Sequence, residues 1–372
     1  MLSGDSSVAQ GRQGAFDRML AHFSAHWDRI DIICPPGPGA TARVIHRTVH
    51  VFPSPWPKAL LPLHIRRQGR ALLAERPYAL VTSHDYGLFL VGLGAWLLTR
   101  GAGVPYVSEI HHVEGYPRAV TLRERLYRAL AMWYIPWVAR RAAAIRVVNY
   151  REMPALLRRL GVPEEKILVL PSLYLDYQVF RPLPDEPKAY DVLFVGRLAA
   201  NKGLFTILEA LAQVKQTHPA VTLAIRGEGP LRAALDRRIA ARGLAGGVIW
   251  LPRAEGPEEM ARLYNRARMV VCASTAEGGP RVTVEAMACG VPVITTPVGM
   301  MGELIADGEN GLLFHWEAGE LAAKIRRLLD DESARARLGA AGCESVQGFD
   351  AAQVIAAYAQ GYHDLIRCLG SA

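Results

Sequence analysis

The stretch MVVCASTAEGGPRVTVEAMACGVPVITTPV, residues 269 to 298, decides the reading of the fold. MVVCAS (269–274) and PVITT (292–296) have the length and β-branched content of strands buried on both faces of a parallel sheet. Between them, Gly278, Gly279 and Pro280 exclude regular structure, while TVEAMA (283–288) is a good helix former that stops at Gly290. A strand, a glycine turn and a helix in that order put the helix's first N–H groups and positive dipole end at the carboxyl end of the sheet. An anion is favoured there, and phosphate is the obvious guest. Glu277 before the turn and Glu285 one helical turn beyond it are placed to grip a polyhydroxyl ligand on either side of that phosphate. On the residues alone, two solvated glutamates are an equally good reading.

Working outward, 372 residues suit two domains with cores of their own, and a hydrophobic content of 51% excludes a disordered chain. The longest apolar run, YGLFLVGLGAWLLT (86–99), is shorter than the ~20 residues a membrane span needs. The start does not read as a signal peptide. Five scattered cysteines, Cys34, Cys272, Cys289, Cys343 and Cys368, lack metal-ligand spacing and fit a reducing cytoplasm.

The charge of +8 is uneven. Residues 1 to 170 hold 22 Lys and Arg against 12 Asp and Glu, a net +10, and the remainder carries a net −2. A basic first half suits a charged acceptor or an anionic membrane surface, with solvated arginine-rich helices as the plainer explanation. PWPKALLPLHIRRQGRALL (55–73) and RERLYRALAMWYIPWVARR (123–141) mix arginine with Leu and Trp on expected helices, as interfacial helices do. Nucleic acid is not expected, since no binding motif is present.

Along the first half, strands and helices alternate with short loops, which predicts a doubly wound parallel sheet. A stub strand at Met1 to Ser3 runs into a loop with Gly4, Gly11 and Gly14; either the true start lies upstream or the sheet tolerates a stub. Strands follow at 31–36, at 43–53 as one or two, at 78–84, 105–112, 144–149 and 166–171, with helices at 58–74, 86–99 and 121–142. Polar groups just past the carboxyl ends of such strands face the ligand crevice. His84, His111 and His112 lie there, and His111 is the better candidate.

The proline-rich, aperiodic segment 171–189 reads as an interdomain linker. Beyond it, YDVLFVGRLAANKG (190–203) is a buried strand running into Arg197 and Lys202 around a glycine turn, a pair suited to a diphosphate. VTLAIRGEGP (221–230) repeats the strand-to-glycine pattern around Glu228, and AAQVIAAYAQGYHDLI (351–366) reads as a core helix.

VGRLAANKG, RGEGP, EGGPRVTVEAMACGVPVI and ELIADGENGLLF, in that order and covering about residues 190 to 330, resemble the nucleotide-sugar-binding half of glycosyltransferase family 4. The resemblance implies the α/β GT-B fold, two Rossmann-like doubly wound domains facing across a cleft. It implies an N-terminal acceptor-binding domain over 1–170, the linker at 171–189, a nucleotide-sugar-binding domain over 190–345, and a last helix within 346–372 crossing back. It further implies a retaining, metal-independent hexosyltransferase that uses no cofactor beyond a nucleotide-diphosphate sugar, and the sequence has no Asp-x-Asp motif.

Position by position, Arg197 and Lys202 match the pair that neutralises the donor diphosphate. Glu285 matches the glutamate on the ribose, and Glu277 the one on the transferred sugar. The backbone around Pro280, Arg281 and Val282 matches the helix-terminus phosphate site. Gly14 and Glu228 stand at further donor-binding positions, and His111 matches the histidine beside the reacting carbon. Ser172-Leu173 replaces the usual Asn-Gly after the linker proline, and the common aromatic after Glu277 is absent. The expected partners are a nucleotide sugar, an acceptor glycan, lipid or small molecule, and an anionic membrane surface reached from the cytoplasm. A nucleotide-sugar epimerase of the same fold, or a silent sugar-nucleotide-binding module, are the alternatives.

Overall fold

Every residue of Ile30–Cys34 is buried, as a strand covered on both faces requires. This strand, β1, pairs in parallel with β3 (Val49–Pro53), which in turn pairs antiparallel with the short β2 (Arg43–Ile45). The run 43–53 is therefore two strands, turned back by left-handed backbone at His46 and Arg47, and β2 is an antiparallel edge on a sheet expected to be parallel throughout. β4 (Val81–His84), β5 (Tyr106–Glu109), β6 (Ala144–Val147) and β7 (Ile167–Val169) continue in parallel in that order. The N-terminal stub joins the two groups of strands. Leu2 forms parallel bridges with Ile33 on one side and Ser83 on the other, so three residues suffice where a full strand is usual.

The helices of the first half are α1 (Ala15–Phe23), α2 (Leu61–Glu75), α3 (Leu90–Thr99), α4 (Leu122–Ala139) and α5 (Glu152–Arg159). Residues 86–89, expected to be helical, form a turn that ends with Phe89 in the left-handed region, and α3 starts only after it.

In this computed structural model, which describes residues 1–370, the second αβ series forms one six-stranded parallel sheet. Its strands are β8 (Tyr190–Val195), β9 (Leu223–Arg226), β10 (Val248–Leu251), β11 (Ala267–Cys272), β12 (Val293–Thr295) and β13 (Leu312–Leu313), in the spatial order β10-β9-β8-β11-β12-β13. Side chains alternate between its two faces. Val192 and Phe194 enter one apolar cluster with Met269 and Val271, while Leu193 and Val195 enter the other with Val270. The first cluster is closed by α6 (Leu204–Val214), α7 (Arg232–Ala241) and α11 (Ala318–Asp330), the second by α8 (Pro257–Asn265), α9 (Arg281–Ala288) and α10 (Met301–Leu304). α12 (Glu332–Ser345) precedes the terminal helix α13 (Ala351–Gly370). Of the segment 346–372 expected to cross back, the last two positions lie outside the described residues.

The chain divides into two compact units. One holds Met1–Glu114, Leu126–Ser172 and the chain from Ala351 on; the other holds Gly115–Arg125 and Leu173–Asp350. From Leu173 on, the stretch read as linker is part of the second unit. Tyr174, Leu175 and Phe180 are buried, and the Leu175 N–H donates to the Phe349 carbonyl at 2.7 Å. Proline removes periodicity without forcing exposure. Residues 115–125, which follow the histidines in sequence, also pack with the second unit, where the Arg118 N–H donates to the Thr275 carbonyl at 3.3 Å.

One buried carboxyl in the first unit has a measurable consequence. Asp85, just past β4, accepts from Ser83 (3.0 Å), Ser108 (2.5 Å) and Tyr134 (2.7 Å), all at Oδ2, while Oδ1 has no hydrogen-bond partner among the described residues. Burial pushes its pKa up to about 7, against the opposing pull of those three hydroxyls. Between the ordinary value of 3.8 and about 7, the unfolded chain gives up this proton while the folded chain keeps it, so stability falls as pH rises through that window. Asp85→Asn, neutral throughout, should therefore gain on the unaltered protein as pH rises. Thermal melts at about pH 5 and pH 8 should show the difference in melting temperature between the two growing by several degrees. A constant difference would refute the buried proton.

Candidate active site

The site on the second unit is built by two loops that leave β8 and β11. After β8 the chain turns at Gly196, passes Arg197, and makes a short 3-10 turn over Ala200–Lys202 before α6. Gly203 ends that turn in the left-handed region, with φ of 65°. A Cβ there would stand 2.1 Å from the Ala273 carbonyl oxygen, so only glycine lets this loop lie against the end of β11. The Thr275 N–H then donates to the Asn201 carbonyl at 2.8 Å, tying the loops together.

This approach decides where the charges fall. The Lys202 ammonium donates to Glu277 Oε1, which also accepts from Ser274 Oγ at 2.5 Å. Lys202 and Glu277 are both mostly buried, with side-chain exposures of 16% and 18%, so their attraction is screened far less than at the surface. Arg197 is exposed. Glu277 and Gly278 are packed against the next loop. Gly299 has a φ of 53°, and a Cβ there would stand 2.3 Å from the Gly278 carbonyl.

α9 starts directly after Pro280, whose fixed φ of −65° suits the residue before a helix. The Arg281 side chain turns away from the helix terminus: Nη1 donates to the Tyr174 carbonyl at 2.9 Å and the guanidinium lies 4.6 Å from the Tyr174 ring centre. Any contribution of Arg281 to anion binding is thus from its backbone N–H. Glu285, one turn on, is buried at 8% exposure and accepts from the Tyr264 hydroxyl at 2.8 Å. Glu228 is exposed, and its backbone carbonyl accepts from the Leu198 N–H at 2.9 Å. The glycines around it have a packing role, since a Cβ on Gly227 would meet the Gly196 carbonyl at 1.9 Å.

Two groups escaped the sequence reading. Tyr264 lies 21 positions from Glu285, and no local pattern connects them. Trp316, left-handed with φ of 66°, donates from its indole to the Ser274 carbonyl at 2.9 Å, while the Arg118 guanidinium lies 5.6 Å from its ring centre. Ser274 itself was findable as a hydroxyl at the end of β11, three residues before Glu277.

In the first unit, Gly14 is the extended residue before α1, and space for a Cβ there is open. His111 follows β5 over a buried ion pair. Glu109 and Arg146 are each 1% exposed, with Nη1 donating to Oε2 at 2.5 Å. His111 Nε2 lies 3.3 Å from that Oε2 and 3.1 Å from Nη1, and His84 Nε2 is also 3.3 Å from Oε2. Burial alone would raise the Glu109 pKa, but His84 and Arg146 outweigh it and hold the carboxylate well below its ordinary range. Although 40% of the His111 side chain is exposed, Nε2 points inward; desolvation lowers its pKa to about 4, with Arg146 and His84 adding to the effect and Glu109 opposing it. His111 is neutral at physiological pH. His84, Glu109 and His111 bring ligand atoms within 4.8 Å of one another, a spacing a divalent ion could use, but the Arg146 guanidinium already supplies a fixed cation to the same oxygen.

The chain's two halves match two family models, "Glycosyl transferase 4-like domain" over residues 14–172 and "Glycosyl transferases group 1" over residues 178–344. It is 32% identical over 286 residues to the glycogen synthase of Mycobacterium tuberculosis, an alignment covering 76% of this chain and 68% of that one. It is 29% identical over 299 residues to the alpha-D-kanosaminyltransferase of Streptomyces kanamyceticus, covering 76% of each. In fold it is similar to the sucrose-phosphate synthase of Thermosynechococcus elongatus, with a TM-score of 0.83 at 22% identity, covering 99% of this chain and 98% of that one. Anabaena HepE in complex with UDP-glucose superposes at 0.74 and 22% identity, covering 100% and 99%. The chain belongs to the GT4-like glycosyltransferases, and its two-domain α/β architecture is the GT-B fold.

Gly203→Ala tests the loop geometry. The added methyl should force the β8 loop off Ala273, costing about 1–3 kcal/mol of stability and separating Lys202 from Glu277. Denaturant unfolding and nucleotide titration read the two effects, and wild-type values in both would show that the close approach is dispensable.

Proposed function

We propose that this glycosyltransferase transfers a hexose from a nucleotide-diphosphate sugar with retention of configuration and without a metal ion. The observation that carries the reading is the meeting of Lys202 and Glu277 at the ends of β8 and β11, with the α9 terminus and the buried Glu285 beside them. As the bond between sugar and phosphate breaks, positive charge grows on the sugar and negative charge on the departing diphosphate. Arg197, Lys202 and the first N–H groups of α9 would meet the negative charge, acting where a divalent ion would otherwise act. Glu277 would face the sugar. Its ion pair with Lys202 would be shared with the phosphate once donor binds. Glu285, braced by Tyr264, would accept from the ribose hydroxyls, and His111, neutral, would hydrogen-bond to the sugar. Departure of the leaving group on the face the acceptor uses would let the diphosphate take the acceptor's proton, which gives retention.

For the acceptor we propose a lipid-linked or glycan substrate reached at the cytoplasmic face of a membrane. Leu60, Leu63 and Trp133 are exposed at 44%, 50% and 68%, so the Trp133 side chain is not part of the core. Trp133 stacks on Trp137, over which Arg141 lies at 4.3 Å. Basic and aromatic groups mixed in this way favour an anionic interface. No helix among the described residues is long and apolar enough to cross a membrane.

Three measurements test these assignments. Turnover of UDP-, GDP- and ADP-sugars should release free nucleotide; formation of an isomeric nucleotide sugar instead would identify an epimerase, and no change with any donor would leave a binding module. Glu285→Ala should weaken nucleotide binding by roughly 1.5–3 kcal/mol in calorimetry, whereas Glu277→Ala should reduce kcat far more than affinity. Co-sedimentation with vesicles should rise with anionic lipid and fall with salt. Equal recovery in the supernatant with neutral and anionic vesicles at low salt would favour a soluble acceptor.

A further inference from the structure

Glu109 is an expensive residue to bury. Removing a carboxylate and a guanidinium from water costs several kcal/mol per ion, and well-packed apolar residues in their place are often as stable. Five side chains nonetheless converge on it. Oε1 accepts from the Tyr362 hydroxyl at 2.8 Å, Oε2 receives Arg146 at 2.5 Å and faces His84 and His111 at 3.3 Å each, and the Tyr358 hydroxyl lies 3.4 Å from both oxygens. Arg146 is itself fixed, with Nε and Nη2 donating to the Leu170 carbonyl at 3.0 and 2.7 Å and its guanidinium 3.8 Å from the centre of the Tyr358 ring. The one member of this cluster with substantial exposure is His111, at 40%.

The tyrosines come from α13, and the helix is shaped to deliver them. Gly361 sits between Tyr358 and Tyr362 in its interior, where glycine is a poor helix former. A Cβ there would stand 2.3 Å from a terminal methyl of Leu170, so the glycine makes room for that side chain against the helix between the two tyrosines.

We infer that Glu109 and Tyr362 are positioning residues for His111: the carboxylate, oriented by the C-terminal helix, holds the imidazole through Nε2 and leaves Nδ1 to meet the donor sugar. The inference rests on the reading of His111 as a donor-side group. His111 Nε2 faces both the carboxylate and the guanidinium but can serve only one of them: as Nε2–H it donates to Glu109 Oε2, leaving Arg146 Nη1 to the same carboxylate and Nδ1 as an acceptor. Arg146 spans two partners with one planar fork, Nη1 on the carboxylate and Nε and Nη2 on the Leu170 carbonyl.

The test uses the full chain labelled with ¹⁵N-histidine, with the His111 ring signals identified by their loss in His111→Asn. In the unaltered protein the ring should hold one neutral tautomer between about pH 5.5 and 8. In Tyr362→Phe, which keeps the packed ring and removes only the hydroxyl, and in Glu109→Gln, the signals should move toward an average of two tautomers. With whichever of the UDP-, GDP- and ADP-sugars the unaltered protein turns over, Tyr362→Phe should lower kcat roughly 10-fold with KM within about twofold. Tyr362→Phe decides the matter even if Glu109→Gln does not fold. Unchanged His111 signals in Tyr362→Phe, or wild-type kcat, would overturn the inference. The ring measurement needs no substrate, so an unaltered protein that turns over no nucleotide sugar would refute the donor reading and leave the positioning of His111 to be judged by the spectra.

Discussion

The close approach of the β8 loop to the end of β11 is the constraint on which the donor-side geometry depends. It is a contact between backbones, permitted by the missing side chain of Gly203, and it sets the position of a lysine whose charge would otherwise be free in solvent. Because Glu277 leaves β11 only a few residues past the contact, the two opposite charges meet without either side chain having to search. Glycines repeat the device around the site: Gly227 lets the β9 loop reach the backbone of Gly196, and Gly299 lets the loop after β12 reach that of Gly278. Four strand ends, those of β8, β9, β11 and β12, are thereby drawn together, and the helix terminus of α9 sits on a framework that little conformational freedom remains to disturb.

Electrostatics in the two units follow different rules. In the second unit, Lys202 and Glu277 are mostly buried yet still accessible, which suits groups whose partners change when an anionic ligand arrives. In the first unit the charges of Glu109 and Arg146 are sealed, fully hydrogen-bonded, and lie beneath His111. Such a pair contributes orientation more readily than stability. Burial keeps His111 neutral against the pull of Glu109, with Arg146 and His84 adding to the effect, so a group that would otherwise titrate near physiological pH does not change charge there.

Much of this was legible in the residues because it is local. The strand, glycine turn and helix of 269–298 appear where their composition demands, as β11, α9 and β12, and the stub strand at Leu2 is real because one residue can bridge two neighbours. The rest depended on contacts between distant positions. Proline-rich 171–189 looked like a free linker because periodicity reports regular hydrogen bonding, not burial, and Tyr174 and Phe180 are buried without it. Nothing near Glu285 announces Tyr264, and nothing near His111 announces Tyr362, which comes from the other end of the chain. The phosphate reading at 280–282 rested on backbone N–H groups, and the Arg281 side chain, which no local pattern places, is committed to Tyr174.

The most direct test of the account is a crystal structure of the protein with UDP, or with whichever nucleotide diphosphate binds most tightly in titration. The account predicts the diphosphate at the start of α9, within hydrogen-bond distance of the backbone at Arg281 and Val282 and of Lys202, with the ribose on Glu285. A nucleotide bound elsewhere, with Lys202 still paired to Glu277 and Glu285 untouched, would contradict it.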